Sequence, residues 1–219
     1  MTFRGKVSFS GRTKAVLPLV QQRSRERQDR IVAEAIQLIS EGGSDSFKMS
    51  ALAERSGVSI GSLYQHFPDK SAILAAIALR YHATTRECIE KALESALTWN
   101  DFVKGFTKLV TDYYSIFLSE PVIRDVWSGV AADKALQSLE VESARDSGTL
   151  LAKHLVRVLP DAHMERVNDA AFFVMALGES AMRLAMLCAP QEGVRHIESF
   201  TRLALFELSF AGGVSAGQA

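Results

Sequence analysis

One stretch of 24 residues constrains the fold of this chain more than the rest together. Residues 47–70 read Phe-Lys-Met-Ser-Ala-Leu-Ala-Glu-Arg-Ser-Gly-Val-Ser-Ile-Gly-Ser-Leu-Tyr-Gln-His-Phe-Pro-Asp-Lys. The pattern predicts a short helix, a tight Gly-Val-Ser turn and a second short helix closed by proline. Leu52 and Ala53 share one face of the first helix. Gly57, four residues past Ala53, can take the left-handed conformation of a helix exit without a Cβ clash. Val58 packs inward as the chain reverses, and Ser59 suits the N-cap, where its hydroxyl accepts an orphan amide. The second helix, residues 60–67, buries Leu63 and Phe67, spaced i and i+4. Its outward side carries Gly61, Ser62, Tyr64, Gln65 and His66. Pro68 forces Phe67 out of helical geometry. Asp69 can then cap a following helix, with Lys70 in its first turn. Two short helices joined in this way make a helix-turn-helix, whose second helix enters the major groove of duplex DNA.

An ordinary αα-hairpin also uses small residues at its turn, so the context decides between the two. An amphipathic helix precedes the motif, with Ile31, Ala35, Leu38 and Ile39 in i, i+4, i+7, i+8 register, and Gly42 and Gly43 end it. The result is a three-helix unit followed without a linker by a long fourth helix. Charge points the same way. The chain carries 25 Lys and Arg against 25 Asp and Glu, yet residues 1–80 hold 12 against 7 and residues 81–219 hold 13 against 18. A positive N-terminal part and a negative remainder suit a DNA-facing head and a body kept off the phosphates.

The stretch 27–74 resembles the tetracycline-repressor (TetR) family of bacterial transcription regulators. The residues that carry the resemblance are the 31–39 helix, Glu41-Gly42-Gly43, Leu52-Ala53, Ser56-Gly57-Val58-Ser59, Gly61-Ser62-Leu63-Tyr64 and Phe67-Pro68-Asp69-Lys70. It implies an all-α homodimer, with an N-terminal helix-turn-helix DNA-binding unit followed by a larger helical ligand-binding and dimerisation domain. Lys48 stands where the family usually has a threonine, and Ser50 where an arginine is common. The expected DNA-binding residues are Lys48, Ser50, Ser59, Gly61, Ser62, Tyr64, Gln65, His66 and Lys70. Tyr64, His66 and Lys70 are expected on phosphates, and Ser62 and Gln65 on base edges.

The expected domain boundaries are a flexible basic arm over 1–22, the DNA-binding unit over 23–69, an effector-binding and dimerisation domain over 70–211, and a disordered tail over 212–219. The arm has Arg4, Lys6, Arg12 and Lys14 and no acids, and Arg23, Arg25, Arg27 and Arg30 continue the charge. Such an arm could reach a minor groove, as homeodomain arms do. Cys88 and Cys188 have no metal or redox spacing, which suits buried thiols in a reducing cytoplasm. Residues 15–20 are too short for a signal core, and the apolar stretch 170–178 is stopped by Glu179, so no membrane partner is expected.

Past Lys70 the punctuation predicts helices at 70–95, 101–118, 134–159, 163–188 and 192–210. Ser119 and Pro121 are placed to start another between the second and third of these. The last two helices are apolar on more than one side, through residues such as Val174, Leu177 and Leu184, then Phe200, Leu203, Phe206 and Phe210. A helix with two apolar faces meets two partners, and here the second partner is expected to be another copy of the chain. The resemblance implies a small-molecule pocket in this part, and its candidate lining is Tyr113, Phe117, Trp127, His154, Met175 and Glu179, with Arg183 nearby. No cofactor is expected, no metal cluster is legible, and no catalytic motif nominates an enzyme. The reading is a repressor released from a palindromic operator by an unidentified small-molecule effector. The alternative is an architectural or partner-recruiting DNA-binding protein without ligand-dependent release.

Overall fold

The computed structural model describes residues 13–120, 122–123, 126–127 and 133–214, with side chains from residue 22 onward. Eight helices are delimited among them: α1 (Thr13–Ser46), α2 (Met49–Arg55), α3 (Ile60–His66), α4 (Lys70–Leu93), α5 (Trp99–Ser119), α6 (Lys134–Val158), α7 (Met164–Leu187) and α8 (Pro190–Ala211). Val122, Ile123, Val126 and Trp127, between α5 and α6, are helical and buried. No strand occurs among the described residues, so the all-α expectation holds.

The helix ends are set by local chemistry. Gly57 has φ 65°, the Gly57 amide donates to the Glu54 carbonyl, and the Val58 amide donates to the Ala53 carbonyl. This crossed pair closes the last turn of α2 as a Schellman motif. Ser59 and Asp69 cap α3 and α4 by accepting from the amides of Ser62 and Ala72. Thr98 and Asp101 form a reciprocal capping box, which starts α5 at Trp99, two residues before the expected boundary. Asp133 accepts from the amides of Ala135 and Leu136 to begin α6.

Three expectations need correction. Residues 13–22 are helix rather than arm, because extending α1 backwards adds backbone bonds, save the one that Pro18 cannot donate, with no new nucleus to form. The arm residues 1–12 lie outside the described residues. Ser119 is the last residue of α5 and its hydroxyl donates to the Ile116 carbonyl, so it is not the cap of a following helix; Pro121 lies outside the described residues. Residues 212–214 close α8: the Gly213 amide donates to Phe210 and the Val214 amide to Ser209. Of the expected tail, residues 215–219 lie outside the described residues.

In the head, Ile31, Ala35 and Ile39 of α1 meet Leu52, Leu63 and Phe67 in one buried cluster. Arg55 clamps α2 to α1 outside it, in a fork on Glu41 (2.6 and 2.8 Å) with its Nε on Glu34 (2.9 Å). The arginine holds the Glu41 carboxyl below the usual carboxylate range, chiefly by hydrogen bonding. In the body, the pairings of α6 with α7 and of α7 with α8 are the most extensive, and α4 packs on α5 and α6. By length and composition alone α7 could cross a bilayer. It lies instead between α6 and α8 and carries Glu179 and Arg183.

The α6–α7 contact depends on Gly148, where a Cβ would lie 2.7 Å from Phe172 Cα and 2.8 Å from its nitrogen. Backbone cannot yield as a side-chain tip can. Gly148→Ala should therefore cost about 1–3 kcal/mol in denaturant unfolding. Gly61→Ala, whose Cβ meets open space, should leave stability unchanged or slightly raised, as α3 gains a better helix former.

Candidate nucleic-acid interface and ligand cavity

The short α3 presents its polar side outward because Leu63 and Phe67 anchor the opposite side in the head core. Tyr64 is 48% exposed, and Ser59, Gly61 and Gln65 are exposed beside it, with Ser62 half-buried. Lys48 and Ser50, at the start of α2, are exposed on the same motif. Lys48 occupies the N-cap position of α2 without a side-chain capping bond, since an ammonium has no acceptor to offer the free amides. Exposed Arg27 and Arg30 border a polar hollow with Ser56, Ser59 and Ser62. Those two arginines complete the basic rim of α3; charge alone had marked them as part of a general positive run.

Two of the expected contacts are turned inward. Gln28 Nε2 of α1 donates to His66 Nδ1 at 3.4 Å, and the ring is half-buried. The Lys70 ammonium donates to the Ser44 carbonyl and pins the start of α4 to the α1–α2 connection. In this conformation both residues brace the head. Their partners lie 38 and 26 positions away, beyond the reach of helix periodicity.

Among the described residues of the body, two small cavities share the side chains of Tyr113 and Glu179. One, of about 40 Å³, is walled by α4, α5, α7 and α8 and includes Phe106, Met175, Met182 and Phe200. The other, of about 20 Å³, lies toward α6 and includes His82, Phe117, Trp127 and Glu140. Tyr113, Phe117, Trp127, Met175 and Glu179 each line one or both of these cavities. His154 does not. It is buried against α4, 2.9 Å from Glu90, and lines neither cavity. Its position on α6 faces away from Tyr113, a matter of helix phase between elements.

Sequence reasoning missed the polar centre of this region. His82 Nε2 of α4 donates to Glu140 Oε1 of α6 at 3.2 Å, with both residues buried. Burial works to raise the Glu140 pKa, but hydrogen bonds with His82 and Glu179 outweigh it and keep the group ionised. Glu140 Oε2 is buried with no N–H or other ordinary donor among the described residues. A proton held on the neighbouring Glu179 carboxyl would supply a donor to this carboxylate. Burial first, then the hydrogen bond and charge of Glu140, push Glu179 up to about 9. Arg183, one turn further along α7, opposes that shift and lies over the Trp127 ring, 5.4 Å from its centroid. Thr85 donates to the Tyr81 carbonyl, so the 2.6 Å contact between Thr85 and Tyr113 is donated by the phenol. Burial raises the Tyr113 pKa far out of the neutral range.

A carboxyl whose folded pKa is raised stabilises the fold below its unfolded value, and that contribution is lost as pH rises through the folded value. The Glu179 contribution should therefore drain away between about pH 4.5 and 9. Glu179→Gln, which mimics the neutral acid, should flatten that decline and raise Tm by a few degrees at pH 8.5. Thermal melts of both proteins across this range check it; a steeper decline in the variant would refute a protonated Glu179.

Two family models match the chain: that for bacterial regulatory proteins of the tetR family over residues 31–77, and the tetracyclin repressor-like C-terminal domain over residues 97–210. The repressor KstR of Mycolicibacterium smegmatis is 39% identical over 56 residues, 26% of this chain and 28% of its own length, so the match spans little more than a quarter of that relative. A TetR-family regulator from Pectobacterium atrosepticum superposes with TM-score 0.66 at 19% identity, covering 91% of this chain and 97% of that one. FadR from Bacillus subtilis, solved with stearoyl-CoA, gives TM-score 0.59 at 14% identity over 86% and 100% of the two chains. The motif around Gly57, the exposed face of α3 and a C-terminal model that alone spans residues 97–210 converge: the chain belongs to the TetR family of transcription regulators.

Proposed function

We propose that this regulator is a homodimeric repressor of a twofold-symmetric operator and that a small molecule in the body releases it. The observation that carries the reading is the outward polar face of α3, above all Tyr64 and Gln65, on a motif whose Leu52, Leu63 and Phe67 are buried in the head core. One short helix reads too few bases for useful specificity, so the reading requires two copies. An unpartnered apolar stripe supplies the means. Leu203, Phe206 and Phe210 of α8 are 63%, 68% and 73% exposed, beside exposed Phe173, Leu177 and Leu184 of α7. Paired across a twofold axis, α7 and α8 of each subunit would form a four-helix interface. The two α3 helices would then enter successive major grooves about 34–36 Å apart. Such a protein acts in the cytoplasm, where its operator is.

The effector part of the reading is supported by the two cavities flanking Tyr113 and by the fold shared with a protein that holds stearoyl-CoA. Widening the cavities would move α4, and operator and effector affinities would be reciprocally coupled. A second reading is favoured by the small size of both cavities, well below the roughly 300 Å³ of an ordinary ligand site. It is a DNA-binding architectural or partner-recruiting protein without ligand-dependent release.

Operator selection on randomised duplexes, followed by a screen for release, separates the two. Gln65→Ala should relax discrimination at one base pair per half-site by about 1–3 kcal/mol. Arg27→Ala and Arg30→Ala should weaken binding to all sequences alike and lower the slope of log affinity against log salt by about 1 for each phosphate no longer neutralised. Leu203→Asp with Phe206→Asp should yield monomers in light scattering and remove specific operator binding. A double variant that stays dimeric would overturn the α7–α8 interface, and a protein without any selected duplex would overturn the regulator reading.

A further inference from the structure

The carboxyl pair at the centre of the body is an expensive thing to bury, and its surroundings limit what could share the space. Around Glu179 stand His82 and Tyr81 from α4, Tyr113 from α5, Glu140 from α6 and Arg183 from its own helix, with Cys88 beside Tyr113. The groups that α8 brings to the larger cavity are apolar, Phe200 among them. Glu140 Oε2 is an acceptor with no ordinary donor, in a residue 9% exposed. Aromatic walls enclose the chamber: the Tyr113 and Phe117 rings are 4.4 Å apart, and Phe117 and Trp127 are 4.7 Å apart.

We propose that the effector of this regulator is an amphiphilic organic cation, whose protonated amine takes the place of the proton shared by Glu140 and Glu179 while its apolar body fills the chamber toward Phe106 and Met175. The proposal rests on the regulator reading above and names the chemistry of its ligand.

Charge balance carries the choice of class. With Glu179 neutral, and His82 counted only as the hydrogen-bond donor to Glu140, ionised Glu140 offsets Arg183. When a cation enters and Glu179 gives up its proton to solvent, two carboxylates offset Arg183 and the ligand, and the cluster is balanced again. An anionic ligand would leave the same groups one negative charge in excess in a medium that screens poorly. A neutral ligand without a donor would leave Glu140 Oε2 relying on the Glu179 proton as before, and so would gain nothing from it. Aromatic faces also favour a cation, although Arg183 already covers one side of Trp127. Geometry sets the shape of the ligand. Tyr113 and Glu179 form the partition between the two cavities, so turning Tyr113 away from Thr85 joins a polar chamber to an apolar one. The joined space offers a polar end and an apolar one, and a ligand with a polar head on an apolar body must widen it further.

The test is calorimetric titration of the full-length protein with three matched probes, phenylbutylamine, phenylbutanol and phenylbutyrate. The amine should bind at least tenfold more tightly than either of the others at pH 7.5. Its affinity should rise by up to about tenfold per pH unit between pH 6.5 and 8.5, because one proton must leave Glu179, held near 9, while the amine stays charged. Buffers of different ionisation heat should report release of about one proton. Glu179→Gln should lose both the preference for amine and the pH slope while melting no lower than the wild type. An alcohol or carboxylate that binds as tightly, an affinity flat in pH, or an amine that does not bind would each overturn the inference; the wild-type proton count decides it even if the variant fails to fold. Operator binding by the ligand-free protein is measured separately. A selected duplex with no amine preference sinks only the ligand class, whereas no duplex at all sinks the regulator reading.

Discussion

The structure depends on α4 being one unbroken helix shared by two cores. Ile73, Leu74 and Ile77 are buried near its start, where it packs on α1, and His82, Thr85, Ile89 and Leu93 are buried further along, against α5 and α6. Both ends are held. Asp69 caps the first turn and Lys70 is tied to the Ser44 carbonyl, while Arg157 of α6 donates to the carbonyls of Leu93 and Ala96 at the far end. A helix of 24 residues spans about 36 Å and bends little. The body and the head thus share one continuous helix.

That middle is where the body gives up stability. His82 and Thr85 sit on α4 facing a buried carboxyl pair and a phenol, in place of the aliphatic residues that would pack there at less cost. Elsewhere the body is conventional, with stacked Trp99, Phe102 and Phe106 and the close Gly148 contact. The polar cluster bridges α4, α6 and α7 through His82, Glu140 and Glu179. The exposed apolar stripe on α7 and α8 stands apart from this arrangement, since Leu203, Phe206 and Phe210 line neither cavity.

Short-range features are readable from residue order. The turn at Gly57, the Ser59 and Asp69 caps and the burial of Leu63 and Phe67 each depend on residues within a few positions. The helices of the body are also legible, since Pro160 and Pro190 interrupt the apolar periodicity near their ends. Periodicity makes the arm two or three turns too long, because Thr13 to Gln22 carries no apolar stripe and its helicity is borrowed from the rest of α1. Residue order does not reveal that α1 offers Gln28 to His66 and the Ser44 carbonyl to Lys70. Composition groups His154 with Tyr113, yet the rotation of α6 gives it to Glu90.

Residue order by itself determined the helix-turn-helix, the helical body and the division of charge between head and body, because caps, turns and helical faces are settled over one or two turns of chain. The tertiary structure decided which polar groups meet. Glu140 is an ordinary acid in sequence until α4 sets His82 on one oxygen and α7 brings Glu179 beside it. Burial and charge act through space at a few ångströms, and residues 58 positions apart come that close only once the helices have packed.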